Sequence, residues 1–200
     1  MTHYESRFFY HFIIIFTYAL LAHGILDIGC GDGLFAFILF DEKIDRGIEP
    51  NERELQRAKE FDAYKELIKC NGKDIPKESG SFNTIFSNSV LEHILEVESV
   101  IDEAYRLLAL RGRFYVTVPT DKFDKYSISY QVFSFFGLYS LAEKYRNIFN
   151  KFWKHFHFHK QEEWEKIFEN SGFEVADFKE YDSKVICLIH NFLVPFAFAW

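Results

Sequence analysis

Two hundred residues are enough for one sheet with helices on both faces, and 48% hydrophobic against 26% charged residues is an ordinary globular mixture. A net charge of −7 excludes a nucleic-acid-binding surface spread over the whole chain. Three cysteines, Cys30, Cys70 and Cys187, lie far apart without CxxC spacing, which indicates neither a disulfide framework nor a metal site and suits a reducing, cytoplasmic compartment.

The first element is "FFYHFIIIFTYALLA", Phe8 to Ala22. It is too short and interrupted for a confident membrane span, and reads as a buried or interface helix within residues 1–24. A signal-peptide core and a membrane contact are the alternatives. Apolar "GILDIG" then predicts a short buried strand, and "GLFAFILF" a helix. Between them, Gly29, Gly31 and Gly33 alternate in "DIGCGDG". Clustered glycines between a strand and a helix mark a place where backbone must turn sharply or approach a ligand.

Further on, "KIDRGIEP" ends a second strand at Glu49, with Pro50 as a stop and Asn51 as a cap for the charged helix "NERELQRAKEF". "KELIKC" reads as a third strand, "NGKDIPKESG" as a loop and "FNTIFS" as a fourth strand. A helix near Val97 to Leu110 precedes a fifth strand closed by Pro119. Alternating strands and helices over 25–119 predict βαβ units, hence a doubly wound, mainly parallel sheet. Ligands bind at the carboxyl ends of such strands, where residues 27–33, 49, 74–75 and 87–93 fall. Residues 120–160 break the rhythm with an aromatic-rich helical stretch placed to form a lid after strand five. Residues 161–200 supply an amphipathic helix, a Gly172 stop, a sixth strand, then "KVICLIH" as a seventh and an apolar tail. The whole is expected to be one domain.

The glycine loop admits two cofactor classes. A dinucleotide fingerprint built on Gly29 and Gly31 requires Gly or Ala at 34, where this chain has Leu34, so a nicotinamide oxidoreductase is disfavoured. The spacing Asp27-x-Gly29-x-Gly31-x-Gly33 resembles motif I of the class I S-adenosylmethionine-dependent methyltransferases, and of their type 11 methyltransferase-domain branch in particular. "GIEP", "GKDIPKESGSFNTIFSNSVLEHI", "LLALRGRFYVTVP" and "HFHKQEEWEKIFENSGFEV" continue the likeness in order, over Arg7 to Val175.

This resemblance implies a Rossmann-like fold and an enzyme that uses S-adenosylmethionine and releases S-adenosylhomocysteine. Asp27 would meet the methionine ammonium, directly or through water, with Gly29, Cys30, Gly31 and Gly33 packing beneath the cofactor. Glu49, followed by Pro50, would hold both ribose hydroxyls, because two carboxylate oxygens suit a vicinal diol. Asp74 would accept from the adenine amino group with Ile75 beside the ring, and Ser87 and Asn88 would line the methionine end. The chain departs from the family at Asn83, where Asp is usual, and at Arg111-Gly112, where a glycine pair is usual.

His93 is the candidate general base, although a methyl transfer from sulfonium is an in-line displacement that positioning alone largely achieves. His155, His157 and His159 alternate with phenylalanines; the resemblance implies no metal, and a pocket or polar-face role is expected. Thirteen aromatics in the 36 residues Phe123 to Phe158 exceed what one packed helix stripe needs. With Tyr126, Tyr130 and His157 as candidate acceptor contacts and a basic run from Lys144 to Lys160, they point to a small or lipid-like acceptor and to peripheral contact with an anionic membrane surface. The alternative function is a non-catalytic, cofactor-binding relative that serves as an interaction or membrane-associated module.

Overall fold

The computed structural model of the chain describes residues 24–180, in two compact units. The expected N-terminal helix, the "KVICLIH" strand and the apolar tail lie outside the described residues.

The first unit takes in residues 24–91, 96–118 and 170–173. Its elements run β1 (Ile25–Ile28), α1 (Leu34–Leu39), β2 (Ile44–Ile48), α2 (Glu52–Phe61), β3 (Tyr64–Ile68), β4 (Phe82–Asn88), α3 (Val97–Leu107) and β5 (Leu108–Thr117). The five strands form one parallel sheet in the order β3-β2-β1-β4-β5. Right-handed crossovers then place α1 and α2 on one face and α3 on the other. All four residues of β1 are buried, as a strand covered on both faces requires. On α3, the buried Val97, Val100, Ile101, Ala104 and Leu107 repeat every three or four residues and form one apolar face. Helix α2 begins where Asn51 accepts from the Arg53 amide at 3.0 Å, and its buried face is Leu55 and Ala58.

Two expectations change here. The helix ends at Leu107 and β5 already begins at Leu108, so the segment read as a turn is a bulge inside the strand: Arg111 adopts the left-handed backbone, at φ +65°, and the pairing with β4 shifts register between Phe82 and Thr84. Among the described residues, 173–180 do not form the sixth strand expected after Gly172. Phe173 packs instead on Tyr105 at 5.2 Å and Phe114 at 5.5 Å between ring centroids, and residues 174–180 belong to the second unit. There the Glu180 carboxylate accepts from Lys122 Nζ at 2.8 Å with both oxygens.

The second unit takes in residues 92–95, 119–169 and 174–180, with helices α4 (Ile128–Phe135), α5 (Tyr139–Trp153) and α6 (Gln161–Asn170). Buried Asp124 ties a 3-10 turn to α5, accepting from Asn150 Nδ2 at 2.9 Å with Arg146 Nε at 3.6 Å. Arg146 in turn meets Glu143 at 2.8 Å, which accepts from the Tyr130 hydroxyl of α4 at 3.0 Å. Trp164 of α6 is fully buried, and its indole N–H donates to the Pro119 carbonyl at 3.2 Å.

Candidate active site

Strand order reverses between β1 and β4, and a loop leaving the carboxyl end of β1 there sits at the switch point where open α/β sheets bind ligands. That loop is "GCGDG". Its anchors are the Gly29 and Cys30 amides, which donate to the Ile48 carbonyl of β2 at 3.0 and 2.9 Å. Asp32 pins its far side, accepting from the Leu34 amide at 3.1 Å and pairing with Arg57 of α2 at 3.0 Å.

The three glycines do different work. A Cβ at Gly29 would strike Val90 at 2.5 and 2.6 Å, and one at Gly33 would lie 3.1 Å from the Ala58 backbone, so both allow the loop to pack on the protein. A Cβ at Gly31 would meet no protein atom within 4 Å, although its φ of +53° is left-handed. The open side of the loop is therefore at Gly31, where backbone is bare to an incoming molecule.

One carboxylate stands at this opening and a second lies buried at the end of the strand that leads into the loop. Half-buried Glu49, just past β2, accepts from the Gly31 amide at 3.3 Å and from the Asn51 amide at 2.9 Å. Asp27 of β1 is only 3% exposed and accepts from the Tyr64 hydroxyl at 2.6 Å. Burial, partly opposed by that hydrogen bond and reinforced by the Glu49 charge, pushes the Asp27 carboxyl up to about 7. Cys30 is buried in the core beside Ile25, Phe40 and Phe86, and burial drives its thiol far up, so it stays a protonated packing residue.

Other candidates occupy the same strand ends. Asp74 is exposed in the loop after β3, and Pro50 is exposed after β2. Ile75 is buried, its amide donating to Glu103 of α3 at 2.8 Å, so its side chain offers little surface to a ligand. Ser87 is buried and donates to the Ile28 carbonyl at 3.0 Å, joining β4 to β1. Asn88 accepts from the Thr117 hydroxyl at 2.6 Å. Asp27, the glycine loop, Glu49, Ser87 and Asn88 are thus brought to one edge of one sheet. Tyr64, Val90 and Thr117, none of them among the candidates, hold them there.

The remaining candidates lie in the second unit. His93 is exposed; its Nδ1 lies 3.3 Å from the Lys154 carbonyl, its Nε2 lies 3.8 Å from Glu92, and its ring is 4.7 Å from that of His155. Burial, with the nearby His93, lowers His155 to about 4, so its ring stays neutral near pH 7. Glu92 is buried, which raises its carboxyl to about 7. His157 faces the Ile94 carbonyl at 2.8 Å and His159 at 3.1 Å, so two of the three alternating histidines come together while His155 turns to His93. Among the described residues no three ligating side chains group as a metal site would require. Tyr126 and Tyr130 are half-buried.

The methyltransferase-domain family matches residues 11–177. The chain belongs to this family. A Bacillus subtilis (strain 168) protein with methyltransferase in its name, YrhH, is 28% identical over 109 residues, 50% of this chain and 60% of that one. The mitochondrial ubiquinone biosynthesis O-methyltransferase of Bos taurus is 23% identical over 88% of this chain and 45% of its own length. The sterol 24-C-methyltransferase of Pneumocystis carinii (strain B80) is 30% identical over 58% of this chain and 33% of its own. The chain therefore spans between a third and three fifths of the curated relatives it matches. A solved Thermotoga maritima structure, described as an S-adenosylmethionine-dependent methyltransferase and possible histamine N-methyltransferase, matches with a TM-score of 0.60 at 25% identity, covering 84% of this chain and 72% of that one. The first unit has the Rossmann-like fold of the class I methyltransferases.

Proposed function

We propose that the chain is an S-adenosylmethionine-dependent methyltransferase acting on a small or lipid-like acceptor. The observation that carries this reading is the loop open at Gly31, with Glu49 on the Gly31 amide and Asp27 buried in the strand that leads into it. An elongated ligand with a diol at one end and a cation at the other fits that pair of acceptors. Glu49 would accept from the ribose hydroxyls, exchanging the long Gly31 amide contact for charged hydrogen bonds. Asp27 would place negative charge under the methionine ammonium, Ser87 and Asn88 would flank it, and Asp74 would meet the adenine amino group. When bound, the cofactor supplies an electrophilic methyl group; the protein's part is to hold the acceptor in line with it and to exclude water. His93 would take the acceptor's proton at Nε2, because its Nδ1 faces the Lys154 carbonyl. Tyr126, Tyr130 and His157 are the acceptor contacts of this proposal.

Calorimetry is expected to find binding of S-adenosylmethionine and S-adenosylhomocysteine but not NAD, with Glu49→Ala costing roughly 1.5–3 kcal/mol through lost charged hydrogen bonds. Equal binding of NAD, or an indifferent Glu49, would contradict the reading. Formation of S-adenosylhomocysteine on addition of a lipid or metabolite extract separates an enzyme from a non-catalytic relative.

A lipid-like acceptor is favoured by one face of α5. Leu138 ahead of it and Leu141, Tyr145, Ile148 and Phe152 within it recur at alternating steps of three and four, and are 43% to 75% exposed. Lys144, Lys151 and Lys154 accompany them. Two relatives are named for ubiquinone biosynthesis and for a sterol. Binding to anionic vesicles is therefore expected, weakening with salt and lost when Lys151 and Lys154 become Glu. Vesicle binding that ignores both salt and charge reversal would remove this argument.

A further inference from the structure

Tyr64 lies outside every motif of the family resemblance, yet it makes the shortest contact to the site's most buried charge. It opens β3, level with Ile44 of β2, and its ring leans along the sheet toward the strand ends. On the way it crosses Gly47, where an added Cβ would lie 2.8 Å from two ring carbons, and it passes under Gly33, 3.4 Å from a Cβ there. Its hydroxyl then reaches Asp27, which stands level with Gly47 on the neighbouring strand. The bare backbone of Gly47 is what permits this path, and a glycine inside a strand is otherwise a cost.

We propose that Tyr64 is a positioning residue for cofactor binding: its hydroxyl fixes the Asp27 carboxylate beneath the glycine loop and keeps it ionisable there, so that uptake of the cationic ligand is linked to release of a proton. This rests on the cofactor reading above.

The groups around Asp27 leave Tyr64 as the agent. Phe86 of β4 is level with it and apolar. Glu49, beyond β2, repels its charge. Cys30, in its own loop, is a protonated thiol, and Asp32 further along that loop is paired with Arg57. Burial raises the carboxyl, and the Tyr64 hydrogen bond is what lowers it. A phenol donating at 2.6 Å to the charged form stabilises that form and fixes the direction of its oxygen. A ligand's ammonium arriving at the loop acts in the same sense, so binding near pH 7 expels the proton that about half of the free protein holds.

The test reads Asp27 with and without ligand. In the free protein, carbon-13 NMR of labelled aspartate carboxyls, assigned with Asp27→Asn, should give a midpoint of about 7. Tyr64→Phe should raise it by about one pH unit. Should Tyr64→Phe fold poorly, 3-fluorotyrosine at position 64, a stronger donor of nearly the same shape, should lower it. With ligand, S-adenosylhomocysteine affinity should rise with pH through the same midpoint and follow it upward in Tyr64→Phe, so that the variant binds roughly fivefold more weakly near pH 7 and recovers by pH 9. Calorimetry in buffers of different ionisation enthalpy should record the released proton. A Tyr64→Phe protein whose Asp27 midpoint is unmoved, with affinity lowered equally at all pH values, would overturn the proposal and leave Tyr64 as packing alone. If the wild-type protein takes up no ligand at any pH while the midpoint still moves, the cofactor reading and the linkage built on it fall, whereas the control of Asp27 by Tyr64 stands.

Discussion

Gly31→Val is expected to lower S-adenosylhomocysteine affinity by more than about 100-fold, near 2.8 kcal/mol, while the protein still folds. The two halves of this result have separate physical causes. Toward the protein, a Cβ at position 31 meets nothing within 4 Å, so no core atom has to move. The strain is local: a β-branched residue held at φ +53° costs about 1–3 kcal/mol, which lowers the melting point by several degrees. Toward the opening, the two valine methyls occupy the space through which a ligand would reach bare backbone and Glu49. Gly29→Val is the control. Its Cβ would lie 2.5 Å from Val90, so that variant should lose the fold of the loop and not merely its ligand. Normal ligand binding by Gly31→Val would reduce the glycine loop to a turn.

The order of strands and helices was legible because each buried strand is an apolar run closed by a turn, and Asp27, the glycines and Glu49 were legible because a loop at a strand end needs those residue types. What pins them was not. Tyr64 escaped because the third strand was read as starting at Lys65, which left the tyrosine in the preceding turn; the signal that could have found it is Gly47, a glycine inside a strand, which announces that another group crosses there. Ile75 reads from the motif as a ligand contact, and what the sequence does not announce is its tie to α3, with its amide on Glu103 and its carbonyl 3.3 Å from Arg106. Pairings of that range leave no periodic trace in sequence. Among the described residues the strand expected after Gly172 does not form over 173–180, where the Phe173 ring packs on Tyr105 and Phe114.

Asp27→Asn is expected to melt higher than the wild-type protein at pH 8 and by a clearly smaller margin at pH 5, with no ligand present. The folded carboxyl sits at about 7 against an ordinary value of 3.8, so the native state binds its proton more tightly than the unfolded chain. Asp27 therefore contributes stability that is fully present below pH 3.8 and is lost as pH rises through about 7. The full loss is at most about 4 kcal/mol, from three pH units at 1.36 kcal/mol each. Asparagine keeps the volume and the acceptor for Tyr64 but never charges, so at pH 8 it escapes most of that loss, worth about 5–10 °C for a chain of this length. Glu92 is also raised to about 7 and titrates in the same window, so the wild-type curve alone does not isolate Asp27; the difference between the two proteins does. A variant less stable at both pH values would mean that the carboxylate is welcome where it lies. The expected gain in stability should come with weakened S-adenosylhomocysteine binding, because a charge buried under the loop is unfavourable until a cation arrives to face it.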